Sequence, residues 1–186
     1  NSIGDLVNMI FTKTKIDGVV IVEMEPKKDK RGYFQRIYDD NEFKKAGINF
    51  KFVQVNQSMS FNKGAIRGIH MQKSPKSEDK LIQCINGSIF DVVIDLRLES
   101  KTYGKWFGII LLANKKMIYV PKGCAHGFQA LENNTIIQYP DSQYYTPIYE
   151  IGIRWNDPFF NIKWPIKKAI LSEKDSRWPD FILQRS

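Results

Sequence analysis

Short apolar segments separated by glycine, proline or asparagine dominate this sequence. Eight of them have the length and the β-branched and aromatic content typical of strands: 18–24, 52–56, 80–85, 88–96, 106–112, 117–120, 127–131 and 135–139. Many short strands with few helices predict a mainly β fold, a two-sheet sandwich or jelly roll. Such a fold has a concave interior that can hold a ligand.

Two local patterns refine this prediction. Phe90, Val92 and Ile94 alternate with mostly polar residues, so we expect this strand to have one apolar face. Asn86-Gly87 lies between two predicted strands and is a strong hairpin signal, because a type I′ turn needs positive φ at both central residues. The strands before and after this dipeptide are therefore predicted to pair.

Helical signals are few and short. One helix is predicted over residues 41–46, closed by Gly47, and a helical turn over 172–175 with Ser172 as its N-cap. The proline-containing coil after Tyr144 is predicted to wrap over the barrel. We expect residues 1–8 to be a remnant of expression cloning and residues 9–186 to form a single domain.

Composition and charge narrow the class of protein. The net charge is +8, but basic residues are scattered among acidic ones, so we expect no nucleic-acid partner. No apolar run approaches the roughly 20 residues of a membrane-spanning helix, and we expect a cytoplasmic protein with no membrane partner. Cys84 and Cys124 lack the spacing of a zinc or disulfide framework and are expected to be reduced core residues.

The two histidines, His70 and His126, each lie in a glycine-containing segment. A cupin-type metal site needs about three histidines and a carboxylate, which this chain does not have. A site of two histidines and one carboxylate is an alternative, but neither histidine has a carboxylate at ligand-like spacing, so we expect no metal. Several donors share two strand-like segments, which indicates that these segments face a cavity: Arg67, His70, Gln72, Lys80 and Gln83. Strict alternation would put Arg67 and His70 on opposite faces, so a shared pocket requires a bulge or bend near Gly68.

Eight segments carry a resemblance to a known family. They are DKRGYF at 29–34, QVNQS at 54–58, RGIHMQ at 67–72, KL at 80–81, DVVIDLR at 91–97, AHGF at 125–128, WNDP at 155–158 and LSEKD at 171–175. Their order and spacing resemble the dTDP-4-dehydrorhamnose 3,5-epimerase family over residues 14–181. Each segment alone is a weak signal, but the set is specific.

The resemblance implies a cupin-type jelly roll, a double-stranded β-helix sandwich that works without metal or cofactor. It also implies a homodimer that exchanges an N-terminal strand. It further implies that His70 is the general base, Asp175 its hydrogen-bonded partner, Tyr139 the general acid and Lys80 the residue near the keto oxygen. Positions matching the family's nucleotide-sugar contacts and pocket residues are Arg31, Phe34, Gln54, Asn56, Arg67, His126, Glu150, Lys174 and Trp155.

The sequence departs from the family pattern at several positions. Arg36 stands where the family usually has a glutamate that contacts the nucleotide, and this charge reversal leaves the preferred nucleotide open. Met71, Cys124 and Pro140 replace an aromatic residue, a phenylalanine and a lysine. None of these changes removes a predicted catalytic group.

The expected function is therefore inversion of C3 and C5 on a nucleotide-linked 4-keto-6-deoxyhexose. This chemistry needs a base, an enolate stabiliser and an acid, which histidine, lysine and tyrosine can provide. A single-carbon epimerase on a related nucleotide sugar is an alternative, and so is a non-catalytic sugar-nucleotide-binding jelly roll. A metal-dependent cupin oxygenase and a nucleic-acid binder fit less well, because the ligand count and the charge pattern oppose them.

Overall fold

Two antiparallel sheets and a separate hairpin make up the computed structural model, which describes residues 8–184. In spatial order, the six-stranded sheet contains β1 (Met9–Lys13), β2 (Val20–Met24), β10 (Lys116–Val120), β7 (Lys80–Asn86), β12 (Thr135–Asp141) and β5 (Gln54–Ser60). The five-stranded sheet contains β13 (Glu150–Gly152), β6 (Ile66–Gln72), β11 (Cys124–Ala130), β8 (Ser88–Asp95) and β9 (Trp106–Leu112). The hairpin consists of β3 (Lys27–Asp29) and β4 (Gly32–Phe34).

This architecture confirms the predicted mainly β jelly roll. Helix α1 (Asp40–Lys45) begins after Asp39, whose carboxylate caps the first turn, and α2 (Glu173–Ser176) begins after the predicted cap Ser172. A 3₁₀ turn covers Pro147–Tyr149. No helix among residues 8–184 is long and apolar enough to cross a membrane. Of the expected cloning remnant, all but Asn8 lies outside the described residues.

The hairpin predicted at Asn86-Gly87 is wrong. Strand β7 belongs to the six-stranded sheet and β8 to the five-stranded sheet, so the dipeptide carries the chain across the sandwich. Of the two residues only Gly87 has positive φ, at 76°. A Cβ there would lie 2.7 Å from Thr135 Oγ1, so this glycine also permits a close approach between strands.

The expectation of one apolar face on β8 is also too simple, because both of its faces are buried. Val92 and Ile94 pack under the C-terminal coil, whereas Ile89 and Val93 pack between the sheets. The outward apolar cluster includes Phe160 and Ile162, which confirms that the coil after Tyr144 covers this sheet.

Side chains between the two sheets change from apolar to polar along the strands. One end is an apolar core that contains both predicted free cysteines, Cys84 and Cys124. On β12 the inward residues run from Ile137, which is buried in this core, to Tyr139 and Asp141. The polar part of the inner surface therefore lies at one end of the sandwich.

A bulge on β6 confirms the irregularity expected near Gly68. His70 pairs with His126, but Arg67 pairs with Phe128, so three steps on β6 oppose two on β11. The extra residue turns Arg67 and His70 towards the same cavity. Gly68 has φ of 91°, and a Cβ there would lie 2.5 Å from the His126 carbonyl oxygen.

We expect Gly68→Ala to reduce the free energy of unfolding by about 3 kcal/mol or more, because it combines left-handed strain with a backbone clash. Chemical denaturation monitored by circular dichroism measures this change.

Gly47→Ala is the matched control. Gly47 also has positive φ, 81°, but an added Cβ would have nothing within 4 Å. Strain alone should cost about 1–2 kcal/mol there. Equal losses in the two variants would mean that the approach of Gly68 to β11 is not a tight constraint.

Candidate active site

A polar cavity lies between the two sheets, in two neighbouring compartments of about 300 and 190 Å³. The compartments share His70 from the five-stranded sheet, Lys80 and Tyr139 from the six-stranded sheet, and Lys174 from α2. The other predicted site residues that line them are Gln54, Asn56, Arg67, His126, Glu150 and Asp175. Most of the site predicted from the sequence therefore surrounds one space.

His70 lies between two carboxylates. Its Nδ1 is 4.0 Å from Asp175 Oδ1, and its Nε2 is 3.9 Å from Glu150 Oε1. Nδ1 has no hydrogen-bond partner among residues 8–184. The predicted hydrogen bond to Asp175 is thus not formed in this structure, although Asp175 stands at ion-pair distance. Asp175 itself is buried and accepts a hydrogen bond of 3.2 Å from Trp178 Nε1.

Burial lowers the pKa of His70 well below its ordinary value of 6.5, and the nearby cations Lys80 and Lys174 lower it further. A lowered pKa keeps the imidazole neutral at neutral pH. The ring can therefore accept a proton, which is what a general base requires.

Tyr139 provides a partly buried phenol on the wall opposite His70. Burial raises its pKa above 10, the charge of Asp141 raises it further, and Arg67 acts in the opposite direction. The phenol therefore remains protonated at neutral pH and can act as an acid. Because β12 and β6 belong to different sheets, the phenol and the imidazole lie on opposite sides of the cavity.

Lys80 provides a buried positive charge in the same cavity. Its Nζ is 3.0 Å from Glu78 Oε1, and both side chains are at most a tenth exposed. A buried carboxylate compensates a buried ammonium, which would otherwise be strongly disfavoured. The cavity can thus hold a cation close to a bound oxygen atom.

The mouth of the larger compartment has a second ion pair. Lys174 Nζ is 2.9 Å from both carboxylate oxygens of Glu150, and Tyr145 donates a 3.2 Å hydrogen bond to the same group. Burial favours a lower pKa for Lys174, but the hydrogen bond and charge of Glu150 outweigh it and raise the pKa overall.

In the smaller compartment His126 and Asp91 form a buried pair, with His126 Nε2 2.7 Å from Asp91 Oδ2. Arg67 is held by Met59, whose carbonyl oxygen accepts a 2.8 Å hydrogen bond, and by the Ser60 hydroxyl at 3.3 Å. Its guanidinium thus has a fixed orientation at this end of the cavity.

Two predicted contacts, Gln54 and Asn56, bind a carboxylate that the sequence reasoning missed. Asn56 Nδ2 donates to Asp141 Oδ2 at 2.7 Å, and Gln54 Nε2 does so at 3.4 Å. Burial raises the pKa of Asp141 to about 6, although Lys80 opposes this shift. Glu78, Asp91 and Asp141 are the three carboxylates missed. Asp91 and Asp141 reach their partners across strands, and Glu78 reaches Gln72 and Lys80 from the turn before β7, so only the tertiary structure identifies them.

Three predicted residues do not line the cavity. Arg31 and Phe34 lie on the β3–β4 hairpin and border a separate surface pocket, where Arg31 forms an exposed ion pair with Asp29 at 2.6 Å. Trp155 is half-buried in the C-terminal coil, and its carbonyl oxygen accepts a hydrogen bond from Trp164. Gln83, grouped with the donors above, is buried near Met24 and Asn114 instead.

Arg36, the charge reversal, lies next to α1. Its guanidinium is 3.7 Å from both Asp39 and Glu42. The arginine therefore interacts with the acidic start of this helix, in a region separate from the lining of either compartment.

The arrangement suits proton transfer at carbon. A neutral imidazole and a protonated phenol lie on opposite sheets, and an ammonium in the same cavity can stabilise negative charge on an oxygen. No group of three His, Cys, Asp or Glu residues within 8–184 is placed to hold a metal ion.

Known proteins of similar sequence are named as epimerases, enzymes that invert the configuration of a carbon atom. A family model described as dTDP-4-dehydrorhamnose 3,5-epimerase matches residues 13–182. The enzyme of that name from Methanothermobacter thermautotrophicus is 43% identical over 172 residues, 90% of this chain and 92% of the relative.

Solved structures agree with the sequence comparison. The dTDP-4-dehydrorhamnose 3,5-epimerase from Bacillus anthracis, with TDP and PPi bound, is 40% identical with a TM-score of 0.91, covering 94% of this chain and 100% of that one. The dTDP-6-deoxy-D-glucose-3,5-epimerase from Legionella pneumophila, in complex with dTDP-4-keto-L-rhamnose, is 38% identical with a TM-score of 0.87, covering 93% of each chain. With the fold, the cavity and the sequence in agreement, the chain belongs to the dTDP-4-dehydrorhamnose 3,5-epimerase family.

Proposed function

We propose that this isomerase inverts C3 and C5 of a dTDP-linked 4-keto-6-deoxyhexose, converting dTDP-4-dehydro-6-deoxyglucose to dTDP-4-dehydrorhamnose. The observation that carries the proposal is the placement of His70 and Tyr139 on opposite sheets across one cavity. A flat sugar enolate between the sheets would have a base on one face and an acid on the other.

The reaction follows from the acidity of hydrogens next to a ketone. His70 removes the hydrogen from C3 or C5, and the electron pair of the C–H bond moves onto the C4 oxygen. The Lys80 ammonium stabilises the resulting enolate charge. Tyr139 then donates its proton to the opposite face of the same carbon, which inverts it.

Carboxylates and neighbouring polar groups assist these steps. Asp175, 4.0 Å from His70 Nδ1, stabilises the imidazolium formed after abstraction. Arg67, His126, Lys174 and Glu150 hold the nucleotide sugar, together with Gln54 and Asn56. No step requires a redox cofactor, because the ketone already present acidifies both carbons.

The hairpin residues Arg31 and Phe34 act, in this proposal, on the cavity of a second protomer. Strand β1 pairs with β2 of its own chain, whereas the β3–β4 hairpin joins neither main sheet. Tyr33 and Phe34 are about half exposed on that hairpin. The resemblance implies a homodimer that exchanges an N-terminal strand, and we propose that the exchanged segment is this hairpin. The exchange would cover both aromatic side chains and bring Arg31 to the nucleotide.

We place the enzyme in the cytoplasm. Cys84 and Cys124 are both free thiols, and unpaired cysteines are typical of proteins in a reducing compartment.

His70→Ala should remove deuterium incorporation at both C3 and C5 when the sugar nucleotide is incubated in heavy water. We expect a loss of roughly 1,000-fold or more, because one base serves both carbons. Proton NMR of the sugar ring measures the exchange at each carbon.

His70→Asn is the accompanying control, since it retains a polar side chain of similar reach but cannot act as a base. Both variants should keep the wild-type circular dichroism. Exchange that survives in both variants would place the base elsewhere, and exchange at one carbon in the wild type would indicate a single-carbon epimerase.

The pH dependence of the wild type gives a further prediction. Its kcat/KM should decrease at acidic pH with a midpoint below pH 6.5, because the lowered pKa of His70 keeps the base neutral to lower pH.

The exchanged hairpin can be tested by mixing two inactive proteins. One carries His70→Ala, and the other carries Arg31→Ala with Phe34→Ala. After joint refolding, each mixed dimer should contain one site with both defects and one intact site. Random pairing should restore about a quarter of the wild-type activity.

A hairpin that serves its own chain would give no such recovery, because every intact His70 would then face a defective hairpin. Sedimentation analysis of each variant separates loss of the dimer from loss of the site.

A further inference from the structure

Lys80 reaches the cavity with an ammonium group that has three hydrogen-bond donors. One donor is engaged by Glu78, whose Oε1 lies 3.0 Å from Nζ. Because Lys80 is only 8% exposed, its remaining donors must be satisfied inside the cavity. The orientation of the ammonium therefore depends on which acceptors surround it.

Glu78 is itself held firmly. Gln72 donates to its carboxylate from the backbone N, at 3.2 and 3.3 Å, and from Nε2 at 3.2 Å. Gln72 also donates from Nε2 to the Lys76 carbonyl oxygen at 2.9 Å and accepts from the backbone N of Thr146. The first acceptor of the ammonium is thus fixed by a network rather than by a mobile side chain.

Asp141 lies directly across from Lys80 in the pairing of β12 with β7. Its Oδ2 accepts from Asn56 at 2.7 Å, whereas its Oδ1 is buried without a hydrogen-bond partner among residues 8–184. The whole residue is 6% exposed and lines the same compartment as His70 and Lys80. A buried carboxylate oxygen without a donor is costly, and the cation it faces across the strands is Lys80.

We propose that Glu78 and Asp141 position the Lys80 ammonium when the sugar is bound: Glu78 keeps the N–H that it holds in this structure, Asp141 Oδ1 takes a second, and the third is directed at the keto oxygen. Both are positioning residues, because they act through Lys80 rather than on the substrate. The inference rests on the proposed function, in which Lys80 stabilises the enolate.

Three acceptors match the three donors of the ammonium: two protein carboxylates and one substrate oxygen. A strong electrostatic contribution requires that the donor already points to the site where charge develops. The two carboxylates would also compensate the burial of the ammonium charge, which is costly without a counter-ion. Their loss should therefore weaken the chemical step more than substrate binding.

Glu78→Gln and Asp141→Asn test this directly, because each amide can still accept the hydrogen bonds made by Gln72 or Asn56. We expect each variant to lower kcat roughly 10-fold, with KM within about 3-fold of the wild type. Measurements at pH 8 keep Asp141 ionised in the wild type, since burial raises its pKa only to about 6.

The deciding measurement is a double-mutant cycle with Lys80→Met, followed by deuterium exchange. If the carboxylates act through Lys80, adding either substitution to Lys80→Met should change the remaining exchange rate by less than about 2-fold. A merely structural role would reduce the rate by the same factor in both backgrounds.

Asp79→Asn is the matched control, since Asp79 lies between Glu78 and Lys80 in the chain but accepts its hydrogen bonds from Tyr119, Ser142 and the Lys122 backbone. It should leave kcat within about 2-fold of the wild type. Equal losses with and without Lys80, an effect on KM alone, or faster turnover in Glu78→Gln would overturn the inference. A wild-type protein that gives no exchange would refute the proposed function instead, and the inference with it.

Discussion

The close approach of Gly68 to β11 is the constraint on which the rest of the site depends. The bulge there adds one residue to β6, and this residue brings Arg67 and His70 to the same face. Without it, strict alternation would direct one of them out of the cavity. Space for the bulge exists only because position 68 lacks a Cβ, which would lie 2.5 Å from the His126 carbonyl oxygen.

A second condition is the polarity gradient between the sheets. The apolar end contributes the packing that keeps the two sheets together, with Ile82, Val93 and Ile137 fully or almost fully buried. The other end contains paired charges, and burial there strengthens their effect on one another. The same strands therefore supply stability at one end and a neutral imidazole, a protonated phenol and an ammonium at the other.

Much of this arrangement could be predicted from the sequence. The short apolar segments predicted the mainly β class, and the two histidines of the sequence, His70 and His126, were natural candidates for the site. The predicted pairing of β7 with β8 was wrong, because the Asn86-Gly87 sequence is compatible both with a hairpin turn and with a connection between two sheets. The burial of both faces of β8 could not be predicted from the strand itself either, because the coil that covers its outer face is distant in sequence.

The supporting carboxylates illustrate what local patterns cannot reveal. Glu78, Asp91 and Asp141 reach their partners across strands or through the turn before β7, and Asp91 is separated from His126 by 35 positions. Their roles depend on sheet order, which short segments do not specify. The position of Arg31 and Phe34 outside the cavity likewise follows from tertiary placement of the hairpin rather than from its sequence.

The central claim is that base and acid act from opposite walls of one cavity, and Tyr139→Phe tests it most directly. This variant retains the ring and the base but loses the proton donor. In heavy water, with a chelator present, NMR should show deuterium entering C3 and C5 with retained configuration while inversion is lost by roughly 100-fold or more. Exchange and inversion that decline together by the same factor would contradict the account, because Tyr139 would then only position the sugar.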